Sequence, residues 1–199
     1  MTIAIARNSP PWARLVSNFF VPPIVFPILG VAVAQRDLHD TWRVVLFAEI
    51  YGIVGFIFPA IYVLIRVKRG TVTDVHLPQR SERRKPFIVA LICLAVMWLI
   101  LAVLGAPRGM MQLATFTLFQ SALLLFITLF WQISVHGANI AGAVAIIGVL
   151  FGVEYALMLS PLIVLVGASR VALKRHTPMQ VVAGAAMSAI IALIVFKTV

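Results

Sequence analysis

Charge is scarce in this chain. Asp, Glu, Lys and Arg make up 11% of its 199 residues, where a soluble domain carries about 25%. The few charges are one-sided, 16 basic against 6 acidic, for a formal net charge of +10. In a soluble protein such an excess suggests nucleic acid. Here the cations fall in short stretches between apolar runs, where membrane topology explains them, and no nucleic-acid motif accompanies them. There is one cysteine, Cys93, inside an apolar run. That excludes an intrachain disulfide and a thiolate metal cluster and leaves packing as its role. Histidines and carboxylates show no ligand spacing such as His-x-x-x-His, so neither a metal nor another cofactor is expected. The first seven residues, ending at Arg7, lack a long apolar region followed by a small-residue cleavage site, so no removable signal peptide is expected. No repeat, linker or low-complexity stretch divides the chain, and one integral membrane domain over 1–199 is expected.

What the chain has in abundance is hydrocarbon: 62% hydrophobic residues and a mean hydropathy of +1.08. These values predict an all-α polytopic transmembrane helical bundle of about six or seven spans, since a spanning helix needs about 20 apolar residues. Drawn along the chain, the spans are 15–34, kinked by Pro22, Pro23 and Pro27, then 44–65, 87–104 and 111–131. The 31 residues of 138–168 contain Glu154 and Ser160-Pro161. They are read as a short-armed hairpin turning near 154–161, because a carboxyl at mid-bilayer costs about 2.5–3.5 kcal/mol. The last span is 179–196, giving seven. Trp12 and Trp42 suit interfacial positions. His39 sits in a polar loop as a solvated residue, and Glu49, inside the second span, is expected to pair with Arg43.

Three polar clusters interrupt the apolar runs. The first includes Asp74, His76, Arg80, Arg83, Arg84, Lys85 and Pro86; the second is Ser134-Val135-His136; the third runs from Ser169-Arg170 through Lys174-Arg175-His176 to Gln180. Counting crossings through seven spans, with the hairpin, returns all three to the face of the N-terminus. A single helix over 138–168 would separate the third from the others. Each cluster also suits a plainer role: a positive-inside loop for the first and third, and a cap or interfacial position at a helix start for His136. Arg80 and Arg83 lie three apart, on one helical face, and guanidinium forks bind phosphate bidentately.

The third cluster resembles the third signature of the type-2 phosphatidic acid phosphatase superfamily: Ser-Arg, five residues, His, three residues, acceptor. The second resembles its Pro-Ser-Gly-His signature, reduced to Ser134-Val135-His136. The first loosely resembles its Lys, six residues, Arg-Pro signature, with His76 and Arg83 at the Lys-to-Arg spacing and Pro86 displaced. The order of the three, over roughly 68–184, looks like that superfamily's core. The resemblance implies a helical bundle with an active site at one membrane face, and a membrane lipid phosphatase that is independent of metal. Its substrate would be a phosphomonoester or diphosphate of a lipid, such as phosphatidate, phosphatidylglycerophosphate or a prenyl phosphate. By the same resemblance His176 is the nucleophile, His136 the acid that protonates the leaving oxygen, and Arg80, Arg83, Arg170 and Ser134 the phosphate ligands. Gln180 stands where the superfamily has Asp. A neutral amide supplies the hydrogen bond that orients an imidazole but not the charge, so Asp74 is a second candidate for that task. The alternative is a catalytically weak or inactive lipid-phosphate-binding membrane protein or a transporter.

The positive-inside rule gives a side. With Arg80, Arg83 and Arg170 set aside as site residues, the face of the site keeps Arg7, Arg14, Arg66, Lys68, Arg69, Arg84, Lys85, Lys174 and Arg175. The other face has Arg36, Arg43, Arg108 and Lys197. The cell membrane with the site on its cytoplasmic side is the expected location.

Overall fold

A computed structural model describes residues 9–77 and 79–198; Arg7 and the start of the N-terminal segment lie outside them. Every regular element among these residues is helical, as an apolar environment that cannot satisfy open sheet edges requires. The helices are α1 (Pro11–Phe19), α2 (Pro22–Asp37), α3 (Thr41–Glu49) running through a π-helical segment (Ile50–Ile57) into α4 (Phe58–Lys68), α5 (Arg80–Val103), α6 (Arg108–Thr128), α7 (Val135–Leu150), α8 (Val153–Leu159), α9 (Pro161–Ala172) and α10 (Pro178–Thr198). Four begin at a proline, Pro11, Pro22, Pro161 and Pro178. The first-turn N–H has no intrahelical acceptor, so a proline there costs nothing.

Five helical stretches are long and apolar enough to cross a membrane: Thr41–Lys68, Arg80–Val103, Arg108–Thr128, Val153–Ala172 and Pro178–Lys197. The pair α1 and α2, bent by 46° at its break, makes a sixth if counted as one span. The proline-rich first span is therefore broken, as its prolines predict. The remaining expected span is α7, whose 16 residues extend about 24 Å at 1.5 Å per residue, short of a hydrocarbon layer of about 30 Å.

By their contacts the described residues form two compact units, one comprising residues 9–25 and 132–198, the other essentially 26–131. In the second unit Tyr51, fully buried on the π-helical segment, lies against Gly30, where an added Cβ would stand 2.6 Å from its ring. Phe26 stacks on Phe56 at 5.3 Å. Asp37 reaches the start of α6, where Gly109 N donates to its Oδ2 at 2.8 Å, a carboxylate at the positive end of a helix. Glu49 is exposed, and the expected pairing with Arg43 does not form. The Arg43 guanidinium lies 5.7 Å from the centre of the Phe47 ring, one turn along, and the ion pair among the described residues is Arg36–Asp37 at 2.8 Å.

In the first unit the hairpin exists but turns elsewhere. The chain reverses at Phe151-Gly152, not at 154–161, and Ser160-Pro161 lies inside the 20-residue rod Val153–Ala172. The reason is backbone chemistry. Gly152 has φ +132°, which only glycine adopts without strain, whereas Pro161 merely removes one donor as a new run of helix begins. Glu154 then falls in the first turn of α8, exposed, a favourable place for negative charge. Helices α7 and α10 pack along each other, tightly at Gly184, where an added Cβ would stand 2.7 Å from the Ser134 carbonyl oxygen.

Candidate functional site

The first unit gathers the second and third clusters at the end of the hairpin away from Gly152. The Ser134 N–H donates to the Gln180 carbonyl at 3.1 Å, joining the start of α7 to the start of α10. Ser134 is fully buried and N-caps α7, its Oγ accepting from Gly137 N at 3.3 Å. The hydroxyl expected on phosphate here caps a helix start as an acceptor, which leaves its O–H as a donor.

The five-residue spacing between Arg170 and His176 has a local cause. Helix α9 ends at Ala172, and Lys174 turns the chain with φ +53°, the left-handed conformation common after a helix C-terminus. This folds the chain back so that the Arg170 carbonyl accepts from both Arg175 N at 3.0 Å and His176 N at 3.3 Å. Arginine and histidine are therefore tied through one carbonyl. Arg170 is the largest fully buried side chain, 1% exposed. Ser169, before it, is also buried and its Oγ donates to the Val166 carbonyl at 2.7 Å, within its own helix.

His176 lies at the entrance to α10. Thr177 and Gln180 form a reciprocal cap there: Thr177 N donates to Gln180 Oε1 at 3.1 Å and Gln180 N to Thr177 Oγ1 at 3.3 Å. This is the Ser/Thr-x-x-Glu/Gln box of a helix start, with Pro178 at the first helical position. The same Oε1 lies 3.2 Å from His176 Nδ1. Because the amide oxygen only accepts, Nδ1 is the donor in this contact.

His136, in the first turn of α7 and 6% exposed, faces a partner from the start of the chain. Its Nε2 lies 3.2 Å from the carbonyl oxygen of Ser17, on α1. A carbonyl only accepts, so Nε2 of His136 carries the proton. The hydroxyl of the same residue takes the other key group, Arg170 Nη1 donating to Ser17 Oγ. Ser17 is 1% exposed. One serine thus presents one oxygen to His136 and another to Arg170.

The first-cluster residues belong to the other unit, where they are engaged with main chain. Arg80 donates from Nε to the Thr128 carbonyl at 2.8 Å and from Nη1 to the Phe130 carbonyl at 3.0 Å, satisfying the open end of α6. Arg83, 3% exposed, donates from Nε to the Leu77 carbonyl at 2.8 Å. Asp74 accepts from His76 N at 2.9 Å through Oδ1, a local turn. Glu82 closes the same loop, accepting from Thr73 N at 3.1 Å and Thr73 Oγ1 at 2.9 Å.

Sequence reading missed two residues. Thr177 was legible, since Thr-Pro-x-Gln is a helix-start signature. Ser17 carries no such signal. It is a small polar residue in an apolar run, and only its fold partners distinguish it. No group of three or more His, Cys, Asp or Glu stands placed to hold a metal ion among the described residues. Compared with protein-family models, with curated proteins and with solved structures, the chain matches none.

Proposed function

We propose that this protein is a membrane lipid phosphatase that works through a phosphohistidine on His176. The observation that supports it is the set of groups converging in the first unit. The His176 imidazole is held at Nδ1 by Gln180 and tied through its backbone to a buried arginine, and a second imidazole, His136, directs its Nε2 at an acceptor oxygen.

In this reading Arg170 binds the phosphoryl oxygens and offsets the charge that spreads over them as the P–O bond loosens. His176 Nε2 attacks phosphorus and the bond to the lipid alcohol breaks. His136, protonated on both ring nitrogens when the substrate is bound, gives its Nε2 proton to the departing oxygen and becomes the neutral imidazole, a general-acid step worth about 10²–10⁴-fold. Water, losing a proton to His136, then cleaves the P–N bond and releases inorganic phosphate. No co-reactant beyond water is consumed. Gln180 supplies the hydrogen bond that fixes the ring but no negative charge for the imidazolium that forms. That neutral partner favours, as the second reading, a protein that binds a lipid phosphate without turning it over. We place the site at the cytoplasmic face of the cell membrane, on the distribution of cations between the two faces.

Phosphate release by the purified protein in lipid nanodiscs separates the two readings. Phosphatidate, phosphatidylglycerophosphate and a prenyl phosphate are the substrates to present. Turnover of any of them that disappears in His176→Ala supports the enzyme; saturable binding with no release supports the binder.

A further inference from the structure

Arg170 and His136, the groups assigned above to the phosphoryl and leaving oxygens, are nearly sealed, 1% and 6% exposed. Each is covered by an oxygen of the same residue. Ser17 Oγ accepts from Arg170 Nη1, and the Ser17 carbonyl oxygen faces His136 Nε2 at 3.2 Å. A phosphomonoester would offer the same two things, a non-bridging oxygen to the arginine and a bridging oxygen to the acid.

The fold explains why that carbonyl is available. Helix α1 ends at Phe19, so Ser17 is in its last turn, where carbonyls have no acceptor-filling N–H further along the helix. The carbonyl's partner four residues on would be the N–H of Val21, which lies past the helix end, in the break itself; Pro22 and Pro23 withhold the next two donors, so the helix cannot continue through them. The break between α1 and α2 thus aims an open carbonyl and a hydroxyl at the site from one residue. The opposite side of α1 carries Trp12, Leu15 and Phe19, exposed by 45%, 59% and 60%. Those residues suit the bilayer, so α1 can shift within it without exposing new apolar surface to water.

We infer that Ser17 occupies the phosphate subsite, and that a lipid phosphate enters by displacing it as α1 swings on the proline-rich break. The inference rests on the proposed function, since it takes Arg170 and His136 to be the groups that meet phosphate. Ser17 is then the specificity-determining residue of the site. A ligand must supply two oxygens of its own to take over the interactions that Ser17 gives up, and a neutral lipid alcohol with one hydroxyl cannot. Reciprocity follows: whatever weakens the Ser17 contacts strengthens phosphate binding by the same factor.

The test uses full-length protein in detergent micelles, with inorganic phosphate as the probe. Ser17→Ala removes the hydroxyl alone. Calorimetric titration is expected to show phosphate binding about two- to tenfold tighter than wild type, the equivalent of one net hydrogen bond. Ser17→Cys, in a Cys93→Ser background, keeps the volume should the alanine variant fold poorly. Its buried thiol is expected to react with a maleimide faster when phosphate is present, because the residue is displaced. Phosphate binding that is unchanged or weaker in Ser17→Ala, or a thiol at position 17 that phosphate protects, would overturn the displacement while leaving the phosphate site standing. No phosphate binding to wild type or to either variant would overturn the phosphate site and the displacement together.

Discussion

Two imidazoles stand at the centre of the candidate site, each with one ring nitrogen facing an acceptor oxygen. Ser17 fixes the proton on Nε2 of His136, and Gln180 fixes it on Nδ1 of His176. In the proposed reaction each ring has its own task, so His136→Ala and His176→Ala are each expected to lower turnover of a lipid phosphate by about 10²-fold or more. The double variant should be little worse than His176→Ala alone, since residues acting in one sequence are not additive. Gln180 offers a sharper test. Gln180→Glu can keep the reciprocal cap with Thr177, which accepts Glu or Gln at that position, while adding the charge that an imidazolium calls for. Turnover is expected to rise about tenfold. Measured beside it, Gln180→Ala should lower both turnover and melting temperature. A glutamate variant as slow as wild type would mean that another group supplies the charge.

At the scale of elements, the site depends on two short backbone devices. Lys174 at φ +53° closes α9 and brings the His176 N–H onto the Arg170 carbonyl. A β-branched residue is strained there, so Lys174→Ile is expected to cost about 1–3 kcal/mol of stability and to lower turnover by loosening His176, whereas Lys174→Gly should do neither. Thermal melting in detergent, read together with turnover, checks both. The second device is the close approach of α10 to α7. Gly184→Ala places a Cβ 2.7 Å from the Ser134 carbonyl oxygen, which must push the helices apart at the junction that joins Ser134 to Gln180. Overpacking of this kind costs about 1–3 kcal/mol, and turnover should fall with it. These devices also mark what was legible in the sequence. The arginine-to-histidine spacing, the apolar runs and the kink at Pro22-Pro23 could be read directly. The hairpin could be expected, but its turn was assigned to the charge of Glu154 and to Pro161, when the deciding property was the φ that Gly152 alone tolerates. The expected pairing of Glu49 with Arg43 failed for a related reason. A sequence separation shows which residues can meet, but not that the arginine lies over an aromatic ring, Phe47.

At the scale of the whole molecule the prediction is one of side. The hairpin of α7 with α8 and α9 sets Glu154 at the end of the first unit away from His136 and Met179 at the near end, both side chains exposed. With the site at the cytoplasmic face, an impermeant maleimide added to intact cells is expected to label Glu154→Cys and spare Met179→Cys, each in a Cys93→Ser background. In the second unit the same reagent should label His39→Cys and spare Thr71→Cys, both exposed loop positions. Labelling of Met179→Cys with protection of Glu154→Cys would reverse the orientation. The contribution of distant parts of the chain was the least legible feature of all. Ser17 meets Arg170 across 153 residues of sequence and His136 across 119, and nothing local to Ser17 signals either partner. Arg80 and Arg83 show the converse. Their spacing suits phosphate, and the fold gives Nε and Nη1 of Arg80 and Nε of Arg83 to the carbonyls of Thr128, Phe130 and Leu77, contacts that only the three-dimensional packing could reveal.

The central claim is that phosphorus becomes bonded to His176, and the most direct measurement is the covalent state of that residue during turnover. Protein reconstituted with phosphatidate carrying radioactive phosphorus, quenched rapidly in alkali and digested, is expected to yield label on the peptide containing His176. That label should be stable to base, lost in acid, and absent from His176→Ala. Phosphate release from the lipid at the wild-type rate by His176→Ala, or label recovered on any other residue, would contradict the account.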